Sequence, residues 1–283
     1  MGMAESSDNT SRVGHWQTIA ARWSAVGSPL RPHADDLGFV EREASGWAAR
    51  HGRPPRVLIL GVTPELCWLA WPTGTTVHAA DRYTDMIRAV WPGSPAQVVC
   101  LDWRQLGRVH AAGSIDLIVC DGGWHLLPWP SAQSELATCI AGLLAPGGLA
   151  LVRLFALPEV RETPEVVLAD LVAGRISDMN RLKLRLGMAL QCTPEEGVKL
   201  GDVWDGVTTV APDLAALADQ LGWPREQAEV LVSYRGSDDR YHFVSQGVAT
   251  RCLESTGKLR CVRAHLPGYP MGAQFPTIVV ERL

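Results

Sequence analysis

Phenylalanine and tyrosine are scarce in this 283-residue chain, four of each, whereas tryptophan reaches eleven. Charge is modest as well: 26 basic against 30 acidic side chains leave a net charge of −4. That balance argues against nucleic-acid binding through a broad basic surface. No long hydrophobic run survives inspection either. The longest, 136–152, is split by Pro146-Gly147-Gly148 into helix, turn and strand, so no membrane span and no membrane partner are expected. A secretory leader is not expected, because residues 1–11 are polar and carry Glu5 and Asp8. The seven cysteines form no Cys-x-x-Cys pair. Cys67, Cys100, Cys120 and Cys139 fall inside apolar runs, so buried free thiols in a reducing cytoplasm are expected and a metal site is not.

What is present is a globular composition, 47% hydrophobic, long enough for two domains or for one α/β domain with an insertion. Residues 1–11 read as a disordered tail and 12–50 as two helices around the turn Ser28-Pro29-Leu30-Arg31-Pro32. Five short apolar runs follow: 56–61, 76–81, 96–102, 115–121 and 148–155. Helix-compatible segments at 64–71, 84–90 and 131–144 separate several of them. That alternation predicts a mostly parallel sheet with helices on both faces over 51–157. Residues 247–283 resume it with a helix at 247–255 and strands at 259–266 and 277–282, for seven strands in all. Residues 158–246 read as a mostly helical insertion. Thr-Pro-Glu, a good helix start, occurs at Thr63, Thr163 and Thr193.

Four strand ends carry the informative residues: Gly61, Asp81, Asp102 and Asp121, spaced 20, 21 and 19 residues apart. Open parallel sheets bind ligands beyond the carboxyl ends of their strands. A carboxylate about 20 residues after a glycine turn is placed to accept hydrogen bonds from both ribose hydroxyls of a nucleoside. The turn Gly61-Val62-Thr63-Pro64 has one glycine rather than G-x-G-x-x-G, and Pro64 removes an N–H donor. It suits a nucleoside without phosphates better than a dinucleotide. Taken singly, each aspartate could equally be a helix cap or a loop residue.

The segments Val57-Leu-Ile-Leu-Gly61, Val77-His-Ala-Ala-Asp81-Arg82, Cys100-Leu-Asp102-Trp103, Asp116-Leu-Ile-Val-Cys-Asp121-Gly122 and Leu143-Leu-Ala-Pro-Gly-Gly-Leu-Ala-Leu-Val152 together resemble the class I S-adenosylmethionine-dependent methyltransferases. The resemblance covers roughly 52–157 and the final two strands, and departs from the family where Val62 and Thr63 replace Gly-x-Gly. It implies a Rossmann-like fold with S-adenosyl-L-methionine as cofactor. It also implies that the backbone of Gly61, Val62 and Thr63 passes beneath the methionine part and that Asp81 holds the ribose hydroxyls. Arg82 and Met86 then flank the adenine, Asp102 accepts from its amino group, and Trp103 supplies an N–H or an apolar wall. Asp121 and Gly122 approach the amino-acid end.

The acceptor side is thinner. His125, in Asp121-Gly-Gly-Trp-His125, stands where the family often places substrate-facing residues, with a capping or surface role as the alternative. Tyr234, Tyr241 and His242 could line a lid or simply pack, and His125 and Tyr241 are the candidate catalytic residues. Trp16, Trp23 and Arg31 could close over the cofactor. Arg181 and Arg185 share a helix face and could bind a substrate carboxylate, although such a run is commonly a solvated face. The resulting expectation is methyl transfer to a small molecule, with the insertion as a cap. A cyclase or lyase releasing methylthioadenosine, as in azetidine-2-carboxylate formation, stays open, and so do a non-catalytic nucleoside-binding protein and a nicotinamide-dependent oxidoreductase.

Overall fold

The computed structural model describes residues 8–283, with side chains from His15 onward. Of the tail expected over 1–11, residues 1–7 lie outside the described residues. Asp8 opens a helix. In chain order the elements are α1 (Asp8–Ala21), α2 (Ala34–His51), β1 (Arg56–Leu60), α3 (Pro64–Cys67), β2 (Thr76–Asp81), α4 (Thr84–Val90), β3 (Val98–Cys100), β4 (Ile115–Asp121), α5 (Ser131–Leu143) and β5 (Leu144–Arg153). They continue with α6 (Pro164–Val172), α7 (Met179–Leu190), β6 (Val198–Lys199), α8 (Leu200–Val210), α9 (Leu214–Leu221), α10 (Arg225–Leu231), β7 (Arg240–Tyr241), α11 (Gln246–Glu254), β8 (Leu259–His265) and β9 (Thr277–Arg282). Short 3-10 turns at Trp103–Arg108, Trp124–Leu126 and Val232–Tyr234 matter below. The chain divides into two compact units. One, the sheet unit, is Arg31–Glu159 with Phe243–Leu283; the other, the helical unit, joins the residues up to Leu30 with Val160–His242.

In the sheet unit seven strands run in the order β3-β2-β1-β4-β5-β9-β8. β1 through β5 are parallel, with Leu60 opposite both Ala80 and Cys120, and β9 runs antiparallel between β5 and β8. Residues 57–60 and 115–120 are buried without alternation, the pattern of strands covered on both faces. Leu58, Leu60, Ile118, Leu136, Ile140, Val152 and Ile278 belong to one apolar core.

Three elements differ from expectation. The third strand is only three residues long at the sheet edge, so Asp102 lies beyond it and caps the following 3-10 turn. The helix expected over 64–71 stops at Cys67, where the Trp71 indole N–H donates to the Leu66 carbonyl at 2.9 Å and diverts it from the helix ladder. The fifth strand begins at Leu144, and a register shift in its ladder with β4 accommodates Pro146-Gly147-Gly148.

At the amino end of β4, Asp116 is fully buried and accepts five hydrogen bonds from Arg53 and Arg56 at 2.8–3.0 Å. Burial opposes its ionisation, yet the two guanidinium groups outweigh that and hold its carboxyl well below the usual range.

The helical unit contains α1, α6 to α10 and the β6–β7 pair. α7 is buried along nearly its whole length, from Met179 to Met188. Asp178 caps it by accepting the Arg181 N–H at 2.8 Å. Of the three Thr-Pro-Glu starts, Thr163 caps α6 and Thr63 begins α3 without a side-chain bond. Thr193 forms only a turn, because the Gly197 N–H closes on its carbonyl and the chain leaves into β6. All seven cysteines are free, with Cys120 buried and Cys100 exposed, against the expected burial of Cys100. Among the described residues no helix is long and apolar enough to cross a membrane.

Candidate cofactor site at the carboxyl edge of the sheet

From β1 the chain winds to one side through β2 and β3, then returns to the other side of β1 as β4 and β5. Such a reversal opens a crevice at the carboxyl ends of the strands. Gly61 stands directly after β1 with φ +105° and donates its N–H to the Ala80 carbonyl at 2.8 Å. A Cβ there would lie 3.8 Å from the Trp103 ring, an ordinary contact. Glycine is thus required by the backbone angle and not by space. Val62 and Thr63 follow it, both buried.

Asp81 ends β2 and is buried. Its carboxylate accepts the Tyr83 N–H at 2.8 Å. Desolvation pushes its pKa up to about 6, because the backbone N–H groups and Arg82 compensate only in part. Arg82 lies over the Tyr83 ring at 4.7 Å, and its guanidinium comes within 3.9 Å of Asp102. Met86, on α4, is buried.

Asp102 is differently placed. Arg104 holds both of its oxygens at 2.9 Å, and the Arg104 N–H takes one of them again. Burial disfavours the ion, but these bonds outweigh it and keep the carboxyl below its ordinary range. The Trp103 indole N–H donates to the Ala80 carbonyl at 2.7 Å and is thereby engaged within the protein. Gly123 packs so tightly on that ring that a Cβ would sit 2.6 Å from it. Glycine at 122 has two causes: φ +63° and the Phe155 ring, 2.8 Å from where a Cβ would be.

Asp121, at the end of β4, is paired with buried Arg153 of β5 at 2.5 Å. Neither Arg153 nor the second carboxylate beside it, Asp36 on α2, is evident from the sequence. Asp36 accepts from the Tyr269 hydroxyl at 3.0 Å, and desolvation raises its pKa. Asp36, Leu66, Val119, Asp121 and Arg153 line a narrow cavity beneath the crevice.

His125 follows on the 3-10 turn after β4, buried with its ring stacked on Phe243 at 5.1 Å and tilted against Phe155 at 4.7 Å. Tyr241 belongs to the helical unit, where the Tyr234 hydroxyl donates to it at 3.4 Å, and Trp16 and Trp23 belong to that unit as well. Arg31, in the sheet unit, pairs with Glu65 at 2.5 Å. Arg181 pairs with Asp178, and Arg185 with Glu162 and Asp170, so the guanidinium groups read as a possible carboxylate clamp are already matched within their own unit. Among the described residues no three His, Cys, Asp or Glu side chains group as a metal site would need.

No family model matches the chain, and no curated protein matches it in sequence. Solved structures do match. A putative zinc-dependent alcohol dehydrogenase from Rhodobacter sphaeroides superposes with a TM-score of 0.58 at 13% identity, over 97% of this chain and 100% of that one. The CurJ carbon methyltransferase superposes at 0.50 and 13%, over 89% of this chain and 56% of that one. The 1,6-didemethyltoxoflavin-N1-methyltransferase of Burkholderia thailandensis, bound to its substrate and S-adenosylhomocysteine, superposes at 0.48 and 12%, over 100% and 92%. Identities this low speak to fold and not to activity. A dinucleotide-binding sheet has the order 3-2-1-4-5-6, whereas this one places antiparallel β9 between β5 and β8. The chain has the Rossmann-like fold of the class I S-adenosylmethionine-dependent methyltransferases.

Proposed function

We propose that the protein is an S-adenosylmethionine-dependent methyltransferase acting on a small molecule. The observation that carries this reading is Asp81, a buried carboxylate at the carboxyl end of β2 with spare acceptor capacity, beside the left-handed turn at Gly61. A ribose diol fits it, since two hydroxyl donors would offset the desolvation that raises its pKa. The single-glycine turn and Pro64 suit a nucleoside without phosphates.

In this reading Gly61 to Thr63 carry the methionine part across their backbone, and Asp81 holds the ribose. Met86 and Arg82 flank the adenine, with Asp102 at its amino group and Trp103 as an apolar wall. Asp121, oriented by Arg153, and Gly122 face the amino-acid end. The bound cofactor supplies an electrophilic methyl on a sulfonium. The protein's share is to hold acceptor and methyl in line, with a base only where the nucleophile carries a proton. His125 and Tyr241 are the candidates for that part. The free cysteines support a cytoplasmic setting.

The test is incubation with S-adenosylmethionine alone, then with pooled metabolites, followed by chromatography of the nucleoside products. S-adenosylhomocysteine formed only with an acceptor supports methyl transfer. Methylthioadenosine formed without one replaces it with cyclase or lyase chemistry. Binding without turnover leaves a nucleoside-binding protein, and binding of NAD in place of S-adenosylmethionine makes it an oxidoreductase.

A further inference from the structure

Within the helical unit, one buried amine gathers polar groups that the proposed function does not use. Lys183 lies on α7 between the matched Arg181 and Arg185 and is only 3% exposed. Among the described residues its ammonium has neither an ion pair nor a hydrogen bond, and the Tyr234 ring lies 5.7 Å away.

His15 of α1 faces the same place. It is buried, and its ring centroid is 5.5 Å from that of Tyr234. Ser233 has a single hydroxyl proton, which goes to the Val230 carbonyl at 2.8 Å. The 3.1 Å contact between Ser233 and His15 Nδ1 is therefore a donation from the ring. Neutral His15 then leaves Nε2 as a bare lone pair, buried and without a partner. Asn180 precedes Lys183 by three residues on one helix face. It is 1% exposed, and its Nδ2 donor also lacks a partner.

Buried polar groups are ordinarily matched, and a buried charge more strictly so. Here His15 Nε2 and Asn180 Nδ2 are left without partners, as is Arg181 Nε on the same helix, and the Lys183 ammonium has no ion pair among the described residues. We propose that Lys183, Asn180 and His15 form a binding site for a monoanionic carboxylate on a flat apolar body. The carboxylate takes the ammonium and the Asn180 amide, and a hydroxyl on the ligand donates to His15 Nε2. Asp178 is paired with Arg181, which leaves the Lys183 ammonium as the one cation without an ion pair; it matches one negative charge, which favours a carboxylate over a phosphate dianion. Tyr234 and Trp16, whose ring stands edge-on 5.3 Å from His15, supply walls for a flat body.

The titratable groups facing the amine are His15, Tyr234 and Asp178 at the start of α7. Burial lowers Lys183 to about 7, against a weaker pull upward from Asp178. Burial, then Lys183, lowers His15 to about 4, so it is neutral at pH 7. A bound carboxylate raises Lys183, and binding above pH 7 takes up a proton. The proposal stands without the methyl-transfer reading, because its test reads binding and not turnover.

The chain has only three lysines, Lys183, Lys199 and Lys258, so full-length protein labelled with 13Cε-lysine gives three resolvable signals. The probe is 3-hydroxybenzoate, and its neutral control is 3-hydroxybenzamide. The Lys183 signal is expected to titrate near neutrality and to move up by about one unit or more with 3-hydroxybenzoate, while Lys199 and Lys258 stay put. In calorimetry, K183M is expected to lose about tenfold or more in affinity, the amide to bind weaker than the acid by a similar factor, and K199M to bind as the parent does. A Lys183 signal unmoved by saturating acid overturns the proposal, and so does equal binding of acid and amide. Equal binding by K183M does the same. If K183M does not fold, the titration of the unmodified protein decides.

Discussion

The two ends of the central sheet bury carboxylates in opposite ways. At the amino end of β4, Asp116 receives five charge-assisted bonds and has its pKa driven down. At the carboxyl end of β2, Asp81 is about as hidden, has no arginine clamp, and has its pKa driven up to about 6. The first arrangement ties Arg53 and the start of β1 to β4 and leaves the acid little left to offer. The second leaves a desolvated acid short of donors at the edge where parallel sheets bind ligands. Burial is common to both; what separates them is how completely the protein itself satisfies each, and the proposed function assigns the cofactor to the less satisfied one.

The largest effect should come from Asp116. Asp116→Ala strips two arginines and a backbone N–H of their acceptor. Splitting a buried pair costs about 3–5 kcal/mol, but both arginines are half-exposed and can rehydrate. A loss of about 2–4 kcal/mol in urea unfolding is expected, with cofactor affinity unchanged in the fraction that folds. A comparable loss of affinity would erase the contrast between the two ends.

Asp81→Asn should do the reverse. Cofactor binding weakens by about 1–3 kcal/mol, read as a dissociation constant, while stability at pH 7 holds or rises. The pH dependence sharpens this. Asp81 has a raised folded pKa, so its contribution to stability is complete below about 4 and is lost as pH rises through about 6. Asp116 has a depressed one, so its contribution is present above about 4 and is lost as pH falls through the folded value. In ligand-free protein, Asp81→Asn should therefore gain on the parent between pH 4 and pH 7, whereas the deficit of Asp116→Ala should stay nearly constant over that range and shrink only as pH falls below about 4. Parallel curves for parent and Asp81→Asn would mean that Asp81 is solvated.

The strand ends were legible because buried parallel strands are uninterrupted apolar runs, and Gly61, Asp81 and Asp121 punctuate them. Their partners were not. Arg153 is 32 residues from Asp121, and Asp36 lies on a helix that the sequence ties to nothing in the sheet. Lys183 was hidden for a different reason. α7 is buried almost all round, so no periodicity separates its inner from its outer face, and Arg181, Lys183 and Arg185 look alike as a charge run. Only the fold shows that the two arginines are ion-paired and the lysine is not.

Asp102 gives the smallest and most discriminating test. In sequence it is the twin of Asp81, a carboxylate at the next strand end and one βα step on. In the fold it caps the Trp103–Arg108 turn and holds Arg104 with both oxygens. An adenine amino group must then share an acceptor that is already engaged, whereas ribose hydroxyls at Asp81 meet one that is not. Asp102→Ala should weaken cofactor binding by about 0.5–1 kcal/mol, less than Asp81→Asn, while the lost cap costs about 1 kcal/mol of stability. Pairing it with Arg104→Met separates the roles. If Arg104 competes for the carboxylate, removing it alone should leave binding unchanged or tighten it slightly. If Arg104→Met instead weakens binding as much as Asp102→Ala does, the pair acts as one positioning element and Asp102 belongs with Asp116 and not with Asp81.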